Sequence, residues 1–261
     1  MARTRSAGSP IVSERFLNRA ITWIIIMIVA TGAIYAGYYY YNMRQMGIKA
    51  RVSSMSQKYA EQVRKNPLDV DARVNLAQAL ITEGNYDEAI KQLKEALKID
   101  REHQGAIVNM GIAYMKKGDN RNAVKYFNKE VSMFGSSGYR LENKYLEEAY
   151  FDLAVINWQK KDYSKALGYA AQATEIGRSN SDNHFLMGRI YLSKGSYDEA
   201  ALKFQESLKF DPKFVDGHYG LAQAYEKKGE KKNAIAEYKQ VVKLAPNFKE
   251  AQKAIDRLEG N

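Results

Sequence analysis

The chain of 261 residues contains no cysteine. That absence removes disulfides, thiolate nucleophiles and most zinc sites in one step, and it is compatible with an oxidising compartment without demonstrating one. Proline is scarce, at four residues. No long run alternates apolar with polar residues either, so sheet has little support and the class is all-α. There is no phosphate-cradling glycine loop, nucleophile elbow or metalloprotease helix motif, and nothing argues for an enzyme or a cofactor. Histidine occurs three times. Two of these, His184 and His218, lie 34 residues apart at equivalent places, where a large packing residue is normal, so core positions are expected rather than metal ligation.

What the chain does have is a period of 34 residues that begins at Val70 and returns down to Phe248. The copies run 70–103, 104–137, 147–180, 181–214 and 215–248, with nine further residues, Gly138 to Leu146, between the second and third. Each carries a Leu or Met before a small residue: Leu76-Ala77, Met110-Gly111, Leu153-Ala154, Met187-Gly188, Leu221-Ala222. Small side chains there let two helices approach closely. Glycine follows the first helix at Gly84, Gly118, Gly195 and Gly229, as a left-handed C-cap requires; Lys161 departs, which predicts a strained turn in copy three. In the second helix an alanine recurs (Ala89, Ala123, Ala166, Ala200, Ala234), and four residues on come Leu93, Phe127, Ala170, Phe204 and Tyr238, one buried stripe.

This skeleton, readable as YDEA at Tyr86 to Ala89, YSKA at Tyr163 to Ala166 and YDEA at Tyr197 to Ala200, resembles the tetratricopeptide repeat (TPR). The resemblance covers about two-thirds of the chain. It implies a right-handed superhelical solenoid of helix-turn-helix repeats, with a concave groove of the kind used to bind peptides or other proteins. The departures are mild: Arg101 and Arg178 stand where a closing proline is usual, while Pro212 and Pro246 keep it.

Ahead of the repeats, a basic tail (1–19) precedes an uncharged stretch from Ala20 to Tyr41. As a helix these 22 residues would be about 33 Å long, enough to cross a bilayer core, with Trp23 and Tyr38 to Tyr41 at the two interfaces. A single transmembrane helix is the leading reading; the competing one is a cleavable signal peptide. The positive-inside count is tied, and Arg15 and Arg19 just before the span favour a cytoplasmic N-terminus with extracytoplasmic repeats. Gly32 with Ala36 and Ala33 with Gly37 would let two copies pack as a homo-oligomer, although small residues are common in membrane helices. Residues 42–69 read as a connecting and capping helix, a degenerate half-repeat with Val52, Met55 and Tyr59 on second-helix positions. Residues 249–261 read as the C-terminal cap, with Ala251, Ala254, Ile255 and Leu258 on one face.

In the superhelix implied by the resemblance, the first helix of each copy lines the groove through its fifth, ninth and twelfth residues. Copy one then contributes Val74, Gln78 and Ile81. The expected partner-binding surface comprises Val108, Ile112, Met115, Phe151, Val155, Trp158, Phe185, Arg189, Leu192, Tyr219 and Gln223, with Glu226 beyond. It is apolar and aromatic with one embedded cation, Arg189, that would orient a ligand carboxylate or pair with Glu148 or Asp182. The lysine and asparagine set with which chaperone-binding members clamp a C-terminal carboxylate is absent. A groove tryptophan marks partner contact; the alternative is that the insertion folds back and covers Trp158, Phe151 and Phe185.

The formal net charge is +10. Lysines gather where first helices end (Lys116-Lys117, Lys160-Lys161, Lys194, Lys227-Lys228), which the helix dipole explains and which could also present a basic edge to an anionic surface. The acid pairs Asp87-Glu88 and Asp198-Glu199 start second helices and are read as structural. The expectation is therefore a membrane-tethered scaffold that holds a protein or peptide partner in assembling a membrane or envelope complex. A basic solenoid that binds nucleic acid or an anionic lipid surface is the alternative, and the apolar groove disfavours nucleic acid.

Overall fold

A computed structural model describes residues 55–260, apart from Ser137 and Tyr139. The expected tail, the span at 20–41 with its small-residue stripe, and Val52 lie outside the described residues. Among the described residues no helix is long and apolar enough to cross a membrane.

The described residues form helices only. Residues 55–65 make α1. The five copies are α2 (Val70–Thr82) with α3 (Tyr86–Ile99), α4 (Gln104–Lys117) with α5 (Asn120–Phe134), α6 (Lys144–Gln159) with α7 (Tyr163–Ile176), α8 (Ser181–Lys194) with α9 (Tyr197–Phe210), and α10 (Val215–Lys227) with α11 (Lys231–Leu244). Helix α12 (Lys249–Glu259) closes the array. Side-chain N-caps start several of them: Asp69, Asp119 and Asp162 each accept a backbone N–H from the first turn.

Each first helix packs on its own second helix, and each second helix on the next first helix. First helices of successive copies also touch one another: α2 with α4, α4 with α6, α6 with α8, and α8 with α10. Second helices of successive copies do not pack together in this way. The first helices therefore occupy the tighter, inner side of the array, which places their free face along the groove. At the ends, Tyr59 and Val63 of α1 pack against the core of copy one, while Ala251, Ala254 and Ile255 of α12 close the core of copy five. The half-repeat register is only partly right, because Met55 is half exposed.

The core is a size-matched stack. Where the second helix carries Phe127 or Phe204, both fully buried, the facing position of the first helix is glycine. A Cβ on Gly188 would lie 2.7 Å from the Phe204 ring, and one on Gly111 would collide with Phe127. Where the second helix carries Leu93, Ala170 or Tyr238, the facing residue is Ala77, Ala154 or Ala222, also buried. Native packing density leaves no room to exchange these partners singly.

All five turns between paired helices use a left-handed residue. Gly84, Gly118, Gly195 and Gly229 have φ between 80° and 89°, and Lys161 adopts φ 62°, the one positive φ at a non-glycine among the described residues. The strain expected in copy three is present, since a side chain in this region costs about 1–2 kcal/mol.

The first part of the insertion goes to the outer side. Arg140 opens a single 3₁₀ turn (Arg140–Glu142) and donates to Glu175 (2.8 and 3.1 Å) and Gln172 (2.7 Å) of α7. Its remainder lengthens α6, which starts at Lys144 under an Asn143 cap and buries Leu146 completely. These bonds tie Arg140 to a second helix, while Lys144 and Tyr145 at the end of the insertion line the cavity around Phe151; its hydrogen bonds reach neither Trp158 nor Phe185.

Candidate partner-binding groove

The expected groove residues separate into four groups. Val108 is 0 % exposed and belongs to the core between copies two and three, so it does not line the groove; Val74 is buried likewise. The first-helix contacts explain this correction, because the fifth position faces the neighbouring first helix when that neighbour is close. Ile112, Met115 and Val155 are half-buried and divide their surface between core and groove.

A second group is an aromatic and cationic cluster on copies three and four. The Arg189 guanidinium lies 4.7 Å from the Trp158 ring centroid and 5.7 Å from that of Phe185. Trp158 Nε1 donates to Ser193 Oγ at 2.9 Å, which fixes the indole plane. Arg189 makes no ion pair among the described residues, with Glu148 and Asp182 included. Its charge is held by ring faces alone, so its N–H donors stay open to an acceptor brought by another molecule.

The third group lines a cavity of about 520 Å³ at the C-terminal end of the groove, where Leu192, Tyr219 and Gln223 meet Tyr238, Glu226 and Arg257. Arg257 donates from both terminal nitrogens to Glu226 (2.8 and 3.0 Å), and the Tyr238 hydroxyl donates to the same carboxylate at 3.0 Å. The Arg257 hydrogen bonds, helped by that of Tyr238, hold the Glu226 carboxyl below its ordinary range. This network needs α12 and was not visible in the groove positions alone.

The fourth group surrounds Phe151, in a cavity of about 410 Å³ that it shares with Gln78, Glu148 and Asp182. The next residue, Asp152, does not line this cavity; it is 8 % exposed and has no hydrogen bond or ion pair. Burial, reinforced by the Glu148 charge and opposed by Lys116, pushes its carboxyl up to about 7. Copy two carries a comparable group away from the groove: both oxygens of the fully buried Glu130 lack a partner, and burial raises its carboxyl to about 7.

Other candidate chemistry becomes structural. His184 Nδ1 is 3.1 Å from Glu206 and its Nε2 2.9 Å from the Arg178 carbonyl. His218 repeats this with Glu237 (2.6 Å) and the Pro212 carbonyl (3.1 Å), so each ties an inter-repeat turn to a second helix. Among the described residues no cluster of His, Asp and Glu could hold a metal. The lysine edge is partly consumed as well, because Lys117 pairs with Asp87 and Lys228 with Asp198 and Glu230, each lysine reaching the acid of the preceding copy.

Tetratricopeptide-repeat family models match residues 49–110, 108–181 and 215–248, and a TPR repeat model matches 188–229. The chain belongs to the tetratricopeptide-repeat family. A TPR repeat-containing protein of Methanocaldococcus jannaschii is 30% identical over 167 residues, 64% of this chain and 27% of that protein, so the likeness spans about a quarter of the relative. Among solved structures, YrrB, described as a TPR protein with an unusual peptide-binding site, superposes with TM-score 0.56 at 20% identity over 76% of this chain and 98% of its own. MamA gives 0.56 at 22% identity over 69% and 94%. The Cut9-Hcn1 assembly of the APC/C gives 0.67 at 18% over 80% and 40%. These likenesses establish the fold.

Proposed function

We propose that this chain is a non-catalytic, membrane-tethered scaffold whose groove holds an extended segment of a protein partner in assembling a membrane or envelope complex. The observation that carries the reading is the Trp158–Arg189–Phe185 cluster: a large aromatic surface in the groove beside a cation that no carboxylate among the described residues engages. Aromatic faces contribute most at interface centres, and an unpaired guanidinium selects a carboxylate or backbone carbonyl. The peptide-binding site named for YrrB supports the same use of the fold. Tethering rests on the uncharged stretch at 20–41, with the repeats placed outside the membrane and the N-terminus in the cytoplasm.

The test is a pull-down with the full chain against Trp158→Ala and Phe185→Ala, each first shown to keep its helicity. Loss of the bound partner is expected; retention by both variants overturns the groove assignment. Protease protection in intact and permeabilised cells reads the side of the membrane, and protection of the repeats in both conditions, or cleavage only after permeabilisation, overturns the orientation.

A further inference from the structure

The edge where first helices end follows a charge rule that the middle copies break. The fourteenth residue of copies two to five is Lys117, Lys160, Lys194 and Lys228 in turn, and the eighteenth of the copy before is Asp87, Arg121, Ser164 and Asp198. At the two ends this gives an ion pair across the repeat boundary, Lys117 with Asp87 and Lys228 with Asp198. Between them the same places hold Lys160 with Arg121, two cations, and Lys194 with Ser164. Arg121, Lys160 and Lys194 are exposed and make no ion pair among the described residues. Lys161 adds another exposed cation, in the left-handed turn that glycine takes in the other four copies. The acids at these turns are already used: Asp119 caps α5, and Asp162 caps α7 and pairs with Lys165. Cations gathered where the same fold elsewhere builds salt bridges repel one another, and a partner that brings negative charge relieves them.

An independent observation is the place at which the preceding chain joins the array. Helix α1 packs as a second helix does, with Tyr59 and Val63 in the core of copy one, and a short turn at 66–69 joins it to α2. Helices joined so briefly run antiparallel. Helix α1 therefore starts at the edge where α3, α5, α7, α9 and α11 start, and residues 1–54 are attached there. Only residues 42–54 separate α1 from the uncharged stretch at 20–41, a connection of at most about 45 Å when fully extended.

We propose that the turn edge of copies two to four docks on an anionic lipid surface. Arg121, Lys160, Lys161 and Lys194 meet the headgroup phosphates, each adding to the attraction and each weakened by salt. A nucleic acid would offer the same charges; the attachment of the preceding chain at this edge is what favours lipid. The inference rests on the tether proposed above for its reach. It also adds to that reading, since the edge is distinct from the groove face of the first helices and leaves the groove free for a partner.

The chain has no cysteine, so a bimane label on Ser164→Cys reports this edge, and one on Ser179→Cys, in the turn after α7, reports the opposite edge. The full chain with either label is reconstituted in phosphatidylcholine vesicles with or without about 30 mol% phosphatidylglycerol, all containing a headgroup spin-labelled lipid as quencher. Quenching at 164 is expected to be roughly threefold or more greater in the anionic vesicles and to fade in about 0.5 M salt. It should be lost in Arg121→Glu/Lys160→Glu/Lys194→Glu, all exposed changes, and the label at 179 should not respond. Equal quenching at 164 in the two kinds of vesicle, or an equal response at 179, overturns the proposal. A shift of the 164 label on adding a single-stranded oligonucleotide, with no response to anionic vesicles, also overturns it and assigns the edge to nucleic acid. Flotation of the same chain with neutral vesicles in about 1 M salt reads the tether separately. Loss of flotation there overturns the tether, while charge-dependent quenching in anionic vesicles still decides the edge.

Discussion

Copies four and five differ from copies two and three in how regularly they repeat. In the later pair the glycine turns, the histidine bridges and the Lys228–Asp198 contact recur or match across copies, and no acid is buried, although Asn183 keeps one oxygen without a partner. In the earlier pair a lysine takes the left-handed turn, an insertion breaks the register, and two acids are buried, Glu130 with both oxygens unpartnered and Asp152 with no hydrogen bond. The candidate site begins in the irregular part, with Phe151 and Trp158 on copy three, and continues onto Phe185 and Arg189 of copy four. Repeats that only stack can be uniform; local rules are broken where a surface is fitted to something else.

The comparison can be broken most strongly at Glu130. Copies one, three, four and five hold Ala96, Ala173, Ser207 and Val241 at this place, each fully buried. Burial raises the Glu130 carboxyl from 4.5 to about 7, so the native state keeps a proton that the unfolded chain has lost between those values. Stability therefore falls as pH rises through that window and stays low above it. Glu130→Gln should gain about 2–3 kcal/mol at pH 8 and little at pH 4, as measured by denaturant unfolding at both pH values. Equal gains at the two pH values would show that the charge is not the cause.

Next in size is the size match in copy four. Gly188→Ala places a methyl against Phe204 and should cost about 1–3 kcal/mol, and adding Phe204→Leu, which recreates the Ala77–Leu93 pairing, should return part of it. An additive double-mutant cycle would refute that pairing. Arg140→Ala removes the insertion's bonds to α7 and should cost about 1 kcal/mol, with faster amide exchange confined to 138–146. The smallest effect is expected at Lys161→Gly, a gain of about 0.5–1 kcal/mol that makes the copy-three turn like the other four; a thermal melt unchanged or lowered would refute the strain.

Much of the fold was legible because helix spacing and turn chemistry are local. The five copies, the left-handed turns, the small-residue approach and the C-terminal cap all follow from residues within one period. The candidate site was less legible. Fifth positions look equivalent in sequence, yet Val108 is closed off while Phe151 stays open, since exposure depends on how closely two neighbouring first helices approach. Glu130 carried a visible signal, an acid where every other copy has a small or apolar residue. Asp152 carried a weaker one, because its equivalents in copies one and two, Asn75 and Asn109, are polar too, whereas Leu186 and Gly220 follow in copies four and five. The Arg257–Glu226–Tyr238 network joins residues up to 31 apart, beyond any helical period.

The sequence by itself determined the repeat, its family and the helix pairs, because a 34-residue period dictates which faces must be buried wherever the copies sit. Only the tertiary structure decided which of the equivalent groove positions remain accessible, where the insertion docks, and that Arg189 rests on Trp158 while Asp152 is left without a partner. Those outcomes depend on distances between elements that no local pattern encodes.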